Sequence, residues 1–186
     1  MKAKPNLTRC QWATKHPLEE HYHDREWGVP VYNDQKLFEM LCLESAQAGL
    51  SWLTVLQKRE NYKKAFQNFG IVKVASFSDK KVEELLQNKG IIRNQLKIKA
   101  FINNANCVLD IQNKYGSFTE FLWSFVNHQP IQNAFKSSSD VPAKTEVSDV
   151  MSKALKNYGF KFLGSTTCYA FMQAIGMVND HTTNCF

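Results

Sequence analysis

The chain has 186 residues, 44% of them hydrophobic, and 23 Lys and Arg against 17 Asp and Glu give a formal charge of +6. That is enough apolar chain for one sizeable core or two small lobes, and the basic balance suits an anionic partner, nucleic acid first. No apolar run approaches the length of a membrane span, and the N-terminus lacks a signal-peptide core. The five cysteines are an odd number in a chain of ordinary size, which argues against a disulfide framework and for a reducing, cytoplasmic setting.

In chain order, residues 1–9 read as a loose polar tail and 10–186 as a single domain opened by Cys10 and Trp12. His16 to Pro30 is dense in His, aromatics and turn formers, as in segments that line a site. Asn33 and Asp34 are candidate N-caps for a helix from about residue 35, apolar nearly all round and therefore central. Its one charge between Met40 and Leu50, Glu44, falls on the face of Leu37, Leu41 and Ala48, where a carboxylate is costly unless paired. Gly49 ends this helix and Ser51 caps the next, which begins with Trp52. A buried carboxylate beside a large ring fits a pocket for a flat, electron-poor ligand. It equally fits a Glu bonded to backbone or to Arg25 or Arg93.

The second helix keeps its apolar spacing to Phe69 and stops at Gly70; residues 71–77, short and apolar, fit a strand but read better as a helical turn between helices. Ser78 caps a helix that ends at Gly90. A tight turn with Ile91 and Ile92 leads into a long helix running to about Lys114. Helix, Gly-bearing hairpin and second helix form the layout of a helix-hairpin-helix. Its N-terminal N–H groups can face a phosphate, with Arg93, Lys97 and Lys99 adding charge; an ordinary αα-hairpin with a solvated basic face looks similar. Ser117-Phe-Thr-Glu120 is a capping box for an aromatic core helix. Residues 127–147 read as the longest loop, Ser148 caps a further helix to Gly159, and Thr166 or Thr167 caps the last, to Gly176. The fold class is all-α, a compact helical bundle of two lobes. Cys42, Cys107 and Cys168 fall in apolar helices and read as packed thiols.

The two ends carry soft ligands. Cys10 and His23 near one end, with His181 and Cys185 near the other, make a Cys2His2 set suited to a closed, structural Zn²⁺ that would join the termini. His181 and Cys185 fit a polar tail as well.

Taken together, Arg9-Cys-Gln-Trp12, Tyr22-His-Asp-Arg-Glu-Trp-Gly-Val-Pro30, Lys36-Leu-Phe-Glu-Met-Leu-Cys-Leu-Glu44, Gln47-Ala-Gly-Leu-Ser-Trp52, Gly90-Ile-Ile-Arg93, Phe121-Leu-Trp-Ser-Phe-Val126, Lys153-Ala-Leu-Lys156, Gly159-Phe-Lys-Phe162 and Val178-Asn-Asp-His181 resemble, in order and over nearly the whole chain, the bacterial 3-methyladenine DNA glycosylase I family of the helix-hairpin-helix superfamily. The resemblance implies a structural zinc on Cys10, His23, His181 and Cys185. It implies a base pocket of Glu44, Tyr22 and Trp52, with Trp12 and Trp27 as walls, and a DNA-binding hairpin over Gly90, Ile91, Arg93 and Lys97. It implies a monofunctional hydrolase, by default a monomer, that frees 3-methyladenine from alkylated double-stranded DNA. The Asp usual in the superfamily after the hairpin has no match here, and Glu19 stands where relatives often carry an aromatic. A non-enzymatic DNA-binding module, or a hydrolase with an open zinc site on His16, His21 and His23, are the rival readings.

Overall fold

A computed structural model describes residues 8–186, so the tail expected over residues 1–9 lies outside the described residues for its first seven. Among the described residues the helices are α1 Pro17–Arg25, α2 Asp34–Gln47, α3 Trp52–Ala65, α4 Ile71–Ala75, α5 Asp79–Gln87, α6 Gln95–Tyr115, α7 Phe118–Trp123, α8 Glu146–Asn157 and α9 Ser165–Ala174. One parallel bridge pairs β1 (Ile131–Gln132) with β2 (Val178–Asn179). No helix is long and apolar enough to cross a membrane among these residues, and all five cysteines are free thiols.

The central helix is α2. The Asn33 side chain accepts the Lys36 N–H at 2.9 Å, and every residue from Leu37 to Ala46 is buried. Such a helix is stable only when surrounded, because each fully buried Leu or Phe contributes about 1.5–3 kcal/mol. It packs on α3, α6, α7 and α9, and one continuous core of Leu, Phe, Ile, Val and Met side chains links both ends of the bundle.

Asp34, at the first position of α2, caps a second helix. Its carboxylate accepts the N–H groups of Phe118 and Thr119 at 2.8 Å each, the Thr119 hydroxyl at 2.6 Å and the Gln112 amide at 2.6 Å. Burial pushes this carboxyl up, but the donors from Thr119, Gln112 and Phe118 outweigh it and hold it below the ordinary value. Asp34→Ala strands two backbone donors at the start of α7 and is expected to cost about 2–4 kcal/mol, read as a lower denaturant midpoint.

Some boundaries shift. Helix α8 begins earlier than Ser148, because Thr145 is the cap: Thr145 Oγ1 accepts the Ser148 N–H at 3.3 Å and Ser148 Oγ accepts the Thr145 N–H at 2.8 Å. Helix α9 starts at Ser165 after Gly164, so Thr166 and Thr167 lie inside it. At Ser117 only half of the expected box forms: Ser117 Oγ accepts the Glu120 N–H at 2.9 Å, while Glu120 faces His128 at 3.4 Å. The loop over 127–147 is partly regular, with β1 and a 3-10 turn at Ser138–Asp140; a two-residue strand leaves no alternation to read.

The chain ends meet. Gly28 donates its N–H to the Gln173 carbonyl at 2.9 Å and Val31 to that of Ile175 at 3.0 Å. Gly176, at φ +71°, lets this segment approach: a Cβ there would lie 2.3 Å from the Val29 carbonyl carbon. Thr8 and Arg9, expected in the loose tail, are held. The Phe186 N–H donates to the Thr8 carbonyl at 3.1 Å, and Arg9 grips Asp24 through Nε and Nη2 at 2.8 Å each.

Candidate functional site

Cys10 precedes a 3-10 turn, His23 lies on α1, and His181 and Cys185 follow β2. These four residues bring one donor atom each to within 4.8 Å of one another. The two imidazoles are oriented from outside. His23 Nδ1 donates to Asp24 at 2.9 Å, and Asp24 is itself held by Arg9, so Nε2 turns inward, 3.4 Å from Cys185 Sγ. His181 Nε2 donates to the Trp27 carbonyl at 3.0 Å, leaving Nδ1 to face Cys185 Sγ at 3.3 Å. Each ring thus turns its unprotonated nitrogen toward a common centre, with the outer hydrogen bond setting the tautomer, and His23 Nε2 there also accepts the Cys10 N–H at 3.4 Å. Burial opposes ionisation of Cys10, but its bonds with His181, His23 and Thr182 draw the thiol down to about 5. Burial and then the Cys10 charge push Cys185 up. Two lone pairs and two thiols converging in a half-dry site are what a tetrahedral metal ion requires, so the residues fit one.

Neither His16 nor His21 joins this centre. His16 Nδ1 accepts the Leu18 N–H at 3.1 Å as the cap of α1, and His21 is exposed. The open three-histidine site is not formed.

Beside the cluster lies a pocket of about 340 Å³. Helix α1 supplies Tyr22, α2 supplies Glu44 and Gln47, and α3 supplies Trp52; Trp12 and Trp27 complete an aromatic wall. Trp12 and Trp27 meet edge to face at 5.1 Å between ring centroids, and Tyr22 and Trp52 stand at 5.1 Å. Glu44 is 6% exposed. No hydrogen bond reaches its carboxylate among the described residues, and burial alone pushes it up to about 8. Tyr22 Oη and Trp52 Nε1 are also buried without partners. Burial and then the Glu44 charge push the Tyr22 hydroxyl well up. Three polar groups left unpaired around one cavity cost several kcal/mol together, an expense that a ligand satisfying them would offset.

The arginine partners conceivable for Glu44 are absent. Arg25 and Arg93 are exposed. The buried guanidinium nearby, Arg59, is committed to Glu26 at 2.7 Å and Glu39 at 2.8 Å, with Lys36 bridging the same two carboxylates at 3.1 Å. Burial notwithstanding, Arg59 and Lys36 hold Glu26 down to about 2. The charges are paired one layer away, and Glu44 is left alone.

A family model described as methyladenine glycosylase matches residues 12–186. The chain belongs to the methyladenine glycosylase family. It is 52% identical to DNA-3-methyladenine glycosylase 1 of Escherichia coli (strain K12) over 179 residues, covering 96% of each chain. It is 49% identical to the DNA-3-methyladenine glycosylase of Haemophilus influenzae over 178 residues, again covering 96% of each. A solved structure of a 3-methyladenine DNA glycosylase I variant in complex with 3-methyladenine superimposes with a TM-score of 0.92 at 40% identity, over 95% of each chain.

In this methyladenine glycosylase family member, the hairpin between α5 and α6 divides its expected DNA contacts. Arg93 is exposed, Gly90 is half-buried and Ile91 is in the core. A Cβ on Gly90 would press on Asn61 and Asn88 at 3.0 Å, and the Ile92 N–H is held by Tyr62 Oη at 3.2 Å. Lys97 departs from the expected phosphate contact. It is 7% exposed, and its ammonium donates to the carbonyls of Ala46 and Ala48 at 2.8 and 2.7 Å. Those carbonyls end α2 and would otherwise be unsatisfied, and a cation there also complements the helix dipole. Lys97 therefore clamps the turn between Glu44 and Trp52. Lys97→Met is expected to cost about 1–3 kcal/mol of stability and to weaken binding of the free base, while the salt dependence of binding to undamaged DNA stays unchanged.

Several lining residues carry no signature of their own in the sequence. Ser138 and Val141 come from the long loop, and Ala170 and Gln173 from α9. Asp180, 1% exposed, accepts from Tyr169 Oη at 2.7 Å, Gln173 at 2.8 Å and Asn133 at 2.7 Å, so it fastens the loop to α9. Its place directly before His181 was its one available sign. Glu19 lines the pocket too, adding a second carboxylate.

Proposed function

We propose that this chain is a monofunctional DNA-3-methyladenine glycosylase. It hydrolyses the N-glycosidic bond of 3-methyladenine flipped out of double-stranded DNA, frees the base and leaves an abasic site for base excision repair. The observation that carries the reading is the unpartnered Glu44 carboxylate, buried among aromatic rings beside two further unpaired polar atoms.

Methylation at N3 makes the adenine of the nucleotide cationic. Glu44 attracts that charge and accepts a hydrogen bond from the amine or a ring N–H. Tyr22 and Trp52 stack on the ring with a cation–π gain on the order of 1 kcal/mol, and Trp12 and Trp27 close the wall. Neutral adenine gains neither charge term and would leave Glu44 desolvated and unpaired, so the dry pocket itself selects. The positive charge also makes the base a good leaving group. The C1′–N9 electrons pass to the purine and neutralise it, the oxocarbenium-like sugar is attacked by water, and that water sheds its proton. This explains how the family can work without the usual superfamily Asp. No lysine lines the pocket among the described residues, and Lys97 is bound elsewhere. A Schiff-base intermediate and strand cleavage therefore have no nucleophile.

Zn²⁺ is the ion we infer for Cys10, His23, His181 and Cys185. Bond lengths of about 2.0–2.3 Å put tetrahedral edges near 3.3–3.8 Å, and the His–Cys approaches of 3.3 and 3.4 Å match them. Four protein ligands make its role structural. Backbone phosphates would meet the Gly90–Arg93 hairpin and exposed Lys99.

The test is chromatography of bases released from randomly methylated DNA. Free 3-methyladenine, retained 7-methylguanine and an uncut abasic strand are expected. Retention of methylated DNA with no base released would make the protein a binding module instead.

A further inference from the structure

The connector between α8 and α9, residues 159–164, is built more rigidly than a link of its length requires. Two adjacent asparagines of α6 fasten it. Asn103 donates to the Gly159 carbonyl at 2.8 Å, and the fully buried Asn104 both donates to the Lys161 carbonyl at 3.1 Å and accepts the Lys161 N–H at 2.8 Å. Ser152 donates to the Leu163 carbonyl at 2.7 Å, and Phe160 and Leu163 are anchored in the core. Between these anchors Phe162 stands in the left-handed region at φ +58° and is 39% exposed. Backbone preference and hydrophobic burial both oppose that placement. Strain that the surroundings over-determine points to use.

The ring borders a surface groove of about 430 Å³, lined by Leu96, Lys99, Ala100, Asn103, Lys161 and Phe162. Leu96 is 69% exposed. Lys99 and Lys161 are exposed, and neither ammonium meets a carboxylate among the described residues. The groove occupies the first turns of α6, directly after the hairpin that carries Arg93. Apolar floor and flanking cations complement a strand whose sugars are apolar and whose phosphates are anionic.

We propose that this groove is a second DNA-backbone site. Lys99 and Lys161 take phosphates of the strand adjoining the lesion, and Leu96 and Phe162 pack against its deoxyribose. The proposal rests on the glycosylase reading. It adds Lys161 and Phe162, on a different part of the chain, to the hairpin surface.

Fluorescence anisotropy with a labelled undamaged duplex, across a salt series, tests it. Lys161→Ala is expected to weaken binding about three- to tenfold at low salt and to lower the log–log salt slope by about one. Phe162→Gly suits φ +58° and keeps the fold; it is expected to weaken binding a few-fold with the slope unchanged. Both variants should retain the wild-type thermal shift with free 3-methyladenine. Unchanged DNA affinity and slope in both variants, beside a salt-dependent wild type, overturns the groove. So does self-association of the wild type that Phe162→Gly abolishes while DNA affinity stays the same, because the occupant is then a second copy of the chain. If wild type binds DNA but releases no base, the glycosylase reading fails while the slopes still decide the groove.

Discussion

Glu44→Gln slows release of 3-methyladenine by about 10²–10³-fold, the usual cost of removing one preorganised charge-stabilising group from a dry site. Gln keeps the shape and a hydrogen-bonding carbonyl but loses the charge, so the deficit measures electrostatics rather than fit. Binding to undamaged duplex, read at the hairpin, stays at the wild-type level. The pH dependence separates charge from shape further. In the empty pocket Glu44 holds its proton up to about 8, and a cationic base requires that proton to leave. Excision by wild type therefore rises with pH toward that value, and the rise is absent from the Gln variant. Stability runs the opposite way. The folded-state value lies above the ordinary 4.5, so both states are protonated below about 4.5 and no penalty exists there. As pH rises through the interval the unfolded chain sheds the proton first, and the Glu44 contribution to native stability falls by about 1.4 kcal/mol for each unit until about 8. The difference in denaturant midpoint between wild type and Glu44→Gln thus shifts in favour of the variant from pH 5 to pH 8. A Gln variant with the wild-type rate would move base recognition away from this carboxylate.

Removing the metal ion proposed for this cluster is expected to have the second large effect. Chelation, or Cys185→Ser, is expected to lower the melting temperature by about 10 °C or more, because ion binding to four converging ligands is folding free energy. The four ligands come from opposite ends of the chain, so the closure entropy they offset is that of nearly the whole sequence. Trp27 stands 4.7 Å from the His181 ring and 6.0 Å from His23, and Trp12 5.6 Å from His23. The near-UV signal of these tryptophans should collapse together with activity, and both should return when Zn²⁺ is restored. Elemental analysis should find one ion per chain. Activity lost before the near-UV signal would mean an open, catalytic ion, contrary to a site with four protein ligands.

Much of this architecture is written in local chemistry. Asn33, Ser51, Ser78 and Ser117 cap the helices they precede, since a side-chain oxygen at that position has one favourable task. The apolar run from Leu37 marks α2 as central for the same local reason. Lys97, expected at a phosphate, donates instead to the Ala46 and Ala48 carbonyls, and helix spacing is consistent with that. Residues two apart on an α-helix point about 200° apart, so Lys97 and Lys99 cannot both face one DNA backbone. At α8 the expected cap Ser148 gives way to Thr145, which offers the same oxygen three residues earlier.

Helix positions, the soft-ligand pairs at the two ends and the face on which Glu44 lies were determined by the sequence itself, because capping, periodicity and ligand chemistry act over a few residues. The tertiary structure alone decided that Glu44 has no partner, since this depends on Arg59 being taken by Glu26 and Glu39 from two other segments. It alone turned the unprotonated nitrogens of His23 and His181 toward one centre, through Asp24 and the Trp27 carbonyl. It also brought Ser138, Val141 and Asp180 to the pocket, by pairing β1 with a strand 47 residues away. These are choices among long-range partners of similar chemistry, and packing of the whole core makes them.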